Sequence, residues 1–255
     1  MEFMTERSTA VPRKSLARIR FPGETRTVPY FNDLFDLQVG DLVYVEGEKS
    51  GQIGQVAELT YHFKIKLSDY WKVIAVVDTQ VRGQFYIAGS HFVTFDPAAL
   101  PKEQVTTWFH APAAEDEDDT VFSCDDAEHF PLEDLDRMKI TQHIAARGHK
   151  YYMENRVRYI CLDHGHGYAI VEGTENYTVD FEYQHGEISN LLCDCPCAFN
   201  CKHEFATMLQ LKDILCLIEK YYPESYAPGG YFAAICKDTL FRLAIDCKET
   251  GSFLL

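Results

Sequence analysis

The run Cys193-Asp-Cys195-Pro-Cys197-Ala-Phe-Asn-Cys201-Lys-His203 constrains this chain more than any other stretch. It places four thiols and one imidazole in eleven residues, directly ahead of a strongly helical segment. Thiolate and imidazole are ligands of zinc, and structural sites hold the ion with four of them in a tetrahedron. Alternate residues of an extended chain face the same way, so Cys193 and Cys195 can chelate as a pair. Cys201 and His203 then complete the set from the turn that opens the next helix. Cysteines also serve singly as buried apolar residues, but four at near-alternate positions ending in Cys-Lys-His do not fit that role. Three thiolates and one imidazole leave no coordination position open to water or substrate, which a catalytic zinc requires. The sequence therefore predicts one structural zinc ion per chain, pinning a strand to the helix that begins near Lys202.

Cys-x-Cys-Pro, a variable loop, Cys-Lys-His and an apolar helix together resemble the SWIM-type zinc finger. The resemblance continues upstream through Ile144-Ala-Ala-Arg-Gly148-His-Lys-Tyr151-Tyr152 and Val157-Arg-Tyr-Ile160. Tyr168-Ala-Ile-Val-Glu-Gly173 and Tyr177-Thr-Val-Asp-Phe181 extend it, so that it covers about residues 137 to 221. It implies a helix, a strand meander, the metal loop and a second helix, with the ligand roles falling on Cys193, Cys195, Cys201 and His203. The loop between Cys195 and Cys201 is short for the family and contains Cys197, a further thiol able to replace Cys193 or Cys195. Because Pro196 follows Cys195 as in the family pattern, Cys197 is expected outside the metal shell. The resemblance also implies an adaptor module of the kind found beside Swi/Snf-type ATPases and transposases, binding DNA or protein partners.

Nine cysteines among 255 residues are an odd number. No apolar segment of the kind that opens a secretory signal follows Met1. No apolar run approaches the ~20 residues of a spanning helix. Clustered cysteines in such a chain read as metal ligands in a reducing cytoplasm. Cys124, Cys161, Cys216, Cys236 and Cys247, which are scattered, are expected to be reduced and mostly in the core. The formal net charge of −15 is unevenly spread. Residues 103–136 hold twelve acids and no base, with Glu115-Asp-Glu-Asp-Asp119 at their centre, whereas residues 1–102 are balanced. Blocks of like charge stay solvated and extended, so residues 103–136 read as an acidic linker.

The expected class is α+β in two domains: a small N-terminal antiparallel β-barrel over residues 1–102, and a zinc domain over residues 137–255. Ala17, Ile19 and Phe21 alternate with Arg18 and Arg20, as in a half-buried strand. Short β-rich runs follow at Val39–Gly47, from Val56, at Trp71–Val77, Phe85–Ala88 and Phe92–Phe95, with turn residues between them. Gly40-Asp-Leu-Val-Tyr-Val-Glu-Gly47 followed by Gly51-Gln-Ile-Gly54-Gln-Val56 resembles the KOW motif of small transcription and translation barrels. Residues 38–60 hold one Lys against four acids, which argues against RNA contact through this segment. In the second domain Ile140, Ile144, Gly148 and Tyr152 fall on one side of a helix. Tyr177, Val179, Phe181 and Tyr183 alternate as a strand. Phe205, Met208, Leu209, Leu215 and Ile218 form a helical stripe, and residues 231–244 suggest one more helix.

No nucleophile elbow, phosphate-cradling glycine loop or helical His-Glu-x-x-His is present, and the carboxylates show no acid–base pairing. A small-molecule substrate is not expected, and an enzyme is disfavoured. Asp163-His164-Gly-His166-Gly reads as an exposed hairpin turn. Two windows run against the acidic trend. Arg7 to Arg20 holds bases alone, and residues 147–158 hold Arg147, Lys150, Arg156 and Arg158 with Tyr151 and Tyr152 interleaved. Bases beside aromatics neutralise phosphate and stack on nucleobases. The sequence thus predicts a zinc-binding, cytoplasmic adaptor without membrane contact, meeting nucleic acid (DNA before RNA) or a nucleic-acid-processing machine. The alternative is a protein–protein module, which the acidic balance favours.

Overall fold

The alternation in Ser15–Arg20 becomes strand β1, with Ala17 and Ile19 buried and Arg18 and Arg20 exposed. In this computed structural model, residues 13–61, 66, 69–112, 129–197 and 200–245 are described. The chain divides into two compact units, Met1–Asp78 with His110–Ala114 and Thr79–Phe109 with Glu115–Leu255. Mixed helices and antiparallel sheets make it α+β, as expected. No helix among the described residues is long and apolar enough to cross a membrane.

In the first unit β1 is followed by β2 (Thr27–Asn32), β3 (Leu42–Val45), β4 (Gly54–Thr60) and β5 (Val73–Val77). Their order in the sheet is β2-β1-β4-β3-β5. Ala17, Ile19, Tyr30, Val43, Val45, Val56 and Val73 supply the core. Gly54 lies against Ile19 and Phe21 where a Cβ would overlap their side chains. The expected barrel does not close as a continuous ladder. Its edges, β2 and β5, meet through one parallel bridge at Phe31 and Lys72, where the Phe31 N–H donates to the Trp71 carbonyl at 2.9 Å.

The second unit is built on an eight-stranded sheet. Its strands are β6 (Tyr86–Ala88), β7 (His91–Thr94), β8 (Phe130–Pro131), β9 (Val157–Asp163), β10 (His166–Glu172), β11 (Asn176–Gln184), β12 (Glu187–Cys193) and β13 (Tyr231–Cys236). They run in the order β6-β7-β13-β9-β10-β11-β12-β8. Helices α1 (Lys102–Thr106), α2 (Gln142–Met153), α3 (Lys202–Tyr221), α4 (Pro223–Tyr226) and α5 (Lys237–Leu240) complete it. Ala206, Met208, Leu211, Ile214 and Ile218 of α3 share a core with Val157, Ile160, Ala169, Val171, Val179 and Phe232 of the sheet. Helix α2 crosses α3 at Gly148, where a Cβ would stand 2.9 Å from the Lys202 carbonyl oxygen and from Phe205. The paired strands β9 and β10 enclose the turn at His164 and Gly165, both at positive φ.

Three sequence expectations change here. The runs at Tyr86–Ala88 and His91–Thr94 are strands, but they join the second unit, and the break falls at Asp78/Thr79 rather than residue 102. Alternation announces a strand and is silent about its partner, which for β7 is β13, from Ala233 opposite Thr94 to Cys236 opposite His91. Tyr231–Cys236 is that strand and not the start of a helix, buried at every position. A short continuous apolar run fits both elements, and only the sheet decides. The acidic linker expected over residues 103–136 holds ordered elements at both ends: helix α1 and the turns to Phe109 at the start, and Phe130–Pro131, which pairs with β12, near the end. Its densest acids, with residues 113–128, lie outside the described residues, as do the arm from Arg7 to residue 12, Cys124 and Cys247.

His91, the first residue of β7, is fully buried, its Nε2 2.8 Å from the carbonyl of Val157 in β9 and its Nδ1 3.0 Å from the Ser90 hydroxyl. A neutral ring donating to Val157 and accepting from Ser90 satisfies both. Burial pushes its pKa down to about 4, with Arg158 and Lys237 adding repulsion against the hydrogen bond to Val157. A ring whose folded pKa lies below its unfolded value of about 6.5 contributes stability that is complete above pH ~6.5 and lost as the pH falls toward 4. The span corresponds to roughly 3 kcal/mol. The unfolding free energies of the natural chain and His91→Gln are therefore expected to converge by about that amount between pH 7 and pH 4. A gap that stays constant across this range rules out a buried neutral ring.

Candidate metal centre

Strand β12 ends at Cys193, and α3 begins immediately after Cys201, so one short loop brings both ends of the motif together. The Sγ atoms of Cys193, Cys195 and Cys201 and a ring nitrogen of His203 all lie within 4.8 Å of one another. His203 Nδ1 is 3.7 Å from Cys193 Sγ and 3.7 Å from Cys201 Sγ. A tetrahedral zinc sets ligand edges of about 3.8 Å between sulfurs and about 3.6 Å between sulfur and nitrogen. The two sulfur–nitrogen distances match such an edge, and the four side chains are grouped compatibly with one metal ion. Cys195, Cys201 and His203 are buried and Cys193 is half-buried, whereas Cys197 is exposed and is not part of the group.

Neighbouring contacts hold each ligand in place. Asp194, between the first two cysteines, accepts from the Thr178 N–H at 2.9 Å and the Thr178 hydroxyl at 2.7 Å. This ties the loop to β11. Cys201 caps α3, its sulfur accepting from the Glu204 N–H at 3.5 Å while the Glu204 carboxylate accepts from the Cys201 N–H at 2.6 Å. That reciprocal pair is a capping box with a thiol in the place usually held by a hydroxyl. The His203 ring stacks on Tyr177 at 4.4 Å between centroids, with Tyr151 at 5.5 Å on another side. Gly173 makes the stack possible, because a Cβ there would lie 2.8 Å from the Tyr177 ring and 3.2 Å from His203 Nε2.

The protons in the cluster point the same way. Cys201 is pulled down to about 4, first by the hydrogen bond from Cys193 and then by His203 and the Glu204 N–H, against the effect of burial. Cys193 is pushed up, chiefly because it donates to Cys201, and burial raises Cys195 to about 12. Three thiols this close share negative charge poorly, so the sulfur at the positive end of α3 ionises first. A divalent cation held by these residues would replace the remaining protons on the thiols.

Around the centre lie the bases singled out in the sequence. Arg147 and Lys150 are exposed on α2, and Lys150 reaches Glu154 at 3.6 Å. Arg156 pairs with Glu154 at 2.6 Å and lies 5.0 Å from the centre of the Tyr151 ring. Lys202, which sequence reading passed over, stands 5.0 Å from the same ring. Its position between two ligands was the available signal. Arg158 differs from the others. It is 14% exposed and bridges Glu172 at 2.9 Å and Asp238 at 3.8 Å. That geometry ties β9 to β10 and α5, leaving little of the guanidinium for an outside partner. Cys161 and Cys236 are buried as expected, while Cys216 is exposed. Comparisons with protein families, with curated proteins and with solved structures found no match.

Proposed function

We propose that this chain is a zinc-clamped adaptor of the SWIM type, a binding module rather than an enzyme, that contacts nucleic acid or a nucleic-acid-processing machine. The observation that carries the reading is the closed set of Cys193, Cys195, Cys201 and His203 at the junction of β12 and α3. Four protein ligands satisfy zinc and leave it no site for a reacting group. Its role is then mechanical: it fixes the first turn of α3, and with it Lys202, against Tyr151 of α2. Arg156 and Lys202 each stand 5.0 Å from the centre of the Tyr151 ring, and cations grouped with an aromatic ring suit a base and its flanking phosphates. Arg147 and Lys150 extend the charge along α2.

A test separates this from its rival. Binding of a short duplex by the zinc-loaded chain is expected to weaken linearly as the logarithm of salt rises, with about 0.9 of slope per phosphate neutralised. Replacing Arg147, Lys150 and Arg156 by Ser is expected to remove up to about three such increments with zinc content unchanged. Equal slopes for the two proteins exclude this surface.

A second reading, a protein–protein module without nucleic-acid contact, is favoured by the ion pairing. Glu154 already partners both Lys150 and Arg156, which weakens the field that phosphate would meet. Absence of duplex binding at low salt moves the assignment to this second reading.

A further inference from the structure

The eight-stranded sheet buries one face under α2 and α3. On the other face a cleft of about 500 Å3 opens beside the segment from Pro97 to Glu103. Its walls follow from strand register. Tyr168 of β10 stands opposite Asp180 of β11, which stands opposite Leu192 of β12. In the adjoining row Asp163 faces His166, and His166 faces Glu182. Glu103 contributes a fourth carboxylate to the lining, against the single ammonium of Lys102. The floor is aromatic, with Tyr168 and Tyr231 both buried.

That one ammonium shows what the cleft accepts. Lys102 Nζ lies 3.8 Å above the centre of the Tyr168 ring and 3.6 Å from Asp180 Oδ1. A cation over a tyrosine face and beside a carboxylate is held by the ring quadrupole and by Coulomb attraction together. The Tyr168 hydroxyl is fixed by Thr106 at 3.2 Å, so the ring is positioned by the segment that also carries Lys102. Both partners of the ion pair are about half exposed, at 45% and 57%, and such pairs contribute only ~0–1 kcal/mol. The occupant is therefore easily displaced. Asp180 and Glu182 are alternate residues of one strand, about 7 Å apart, which equals the spacing of alternate side chains on an extended peptide.

We propose that this cleft binds a basic segment of a partner protein in extended conformation, with lysines at alternate positions. One ammonium takes the place of Lys102 on Tyr168 and Asp180, and the next meets Glu182. The exposed side chain of Leu192 offers an apolar contact at the end of the row. This site lies apart from the zinc ligands and goes beyond the reading of that centre, so either can stand without the other.

The test uses the full zinc-loaded chain and an end-blocked, fluorescently labelled Ala-Lys-Ala-Lys-Ala peptide, read by anisotropy at low salt. The expected result is saturable binding that disappears when both lysines are acetylated. Asp180→Asn is expected to weaken it about ten-fold, as for loss of one charge pair. Lys102→Gln, which removes the internal competitor, is expected to tighten it about three-fold. Zinc content and melting temperature confirm that the variants are folded. Failure of the unmodified chain to bind, equal binding of the acetylated peptide, or indifference to Asp180→Asn overturns the proposal. Weaker binding by Lys102→Gln overturns the exchange of one ammonium for another. Spermine binding as tightly as the peptide, and with the same dependence on Asp180, replaces the partner segment with a small polyamine and overturns it likewise.

Discussion

Cys201→Ser is expected to leave the chain without zinc, whereas Cys197→Ser retains a full equivalent. The serine hydroxyl can still cap α3, because Ser is among the favoured N-cap residues. The loss is therefore that of the ion and not of the helix end. Structural zinc supplies apparent binding energies of roughly 10–16 kcal/mol in finger peptides, comparable to the whole stability of a domain. If even about 4 kcal/mol of this supports the second unit, its melting temperature falls by about 10 °C. Elemental analysis of the purified variants, with thermal melts before and after a chelator, measures both quantities. Loss of zinc from Cys197→Ser with retention in Cys201→Ser reverses the ligand assignment.

The second large effect comes from a methyl group. In an isolated helix, Gly148→Ala raises helix propensity by about 1 kcal/mol. Here the new Cβ meets the Lys202 carbonyl oxygen and Phe205 at 2.9 Å, a backbone atom and a packed ring that cannot both give way. Overpacking of this kind costs typically 1–3 kcal/mol, so the net change is expected to be destabilising by about 1–2 kcal/mol. Because Lys202 lies between Cys201 and His203, a displaced first turn of α3 also loosens two ligands. Urea midpoints and the rate of zinc release to a chelator read the two effects separately. A variant more stable than its parent, with unchanged zinc release, shows that α2 and α3 do not meet at this glycine.

The Cys193, Cys195, Cys201 and His203 cluster was legible in the sequence because its members are local: two pairs at i, i+2 spacing joined by one loop. Four of the five strands of the first unit were legible for a similar reason, since the alternation of Ala17, Ile19 and Phe21 with arginines needs no knowledge of the rest of the chain, whereas Thr27–Asn32 was not anticipated. What escaped depends on distant partners. Nothing near His91 announces that it will lie opposite Cys236, and nothing in Tyr231–Cys236 separates a strand from a helix until the sheet surrounds it. Arg158 looked like one base in a basic window. Glu172 and Asp238 engage it across strand pairing and across 80 residues of chain. Asp194 is another case: it resembles any loop acid until Thr178, sixteen residues earlier, is seen to occupy both of its oxygens.

The place of β13 has a consequence for synthesis. The strand lies between β7 and β9, and it pairs with both. During translation β7 and β9 leave the ribosome long before residue 231 does, and until then each keeps an unpaired edge. Unsatisfied edges of this kind are templates for mispairing. The nascent chain must therefore hold two halves of a sheet apart, and the final insertion unites them in one late, cooperative step.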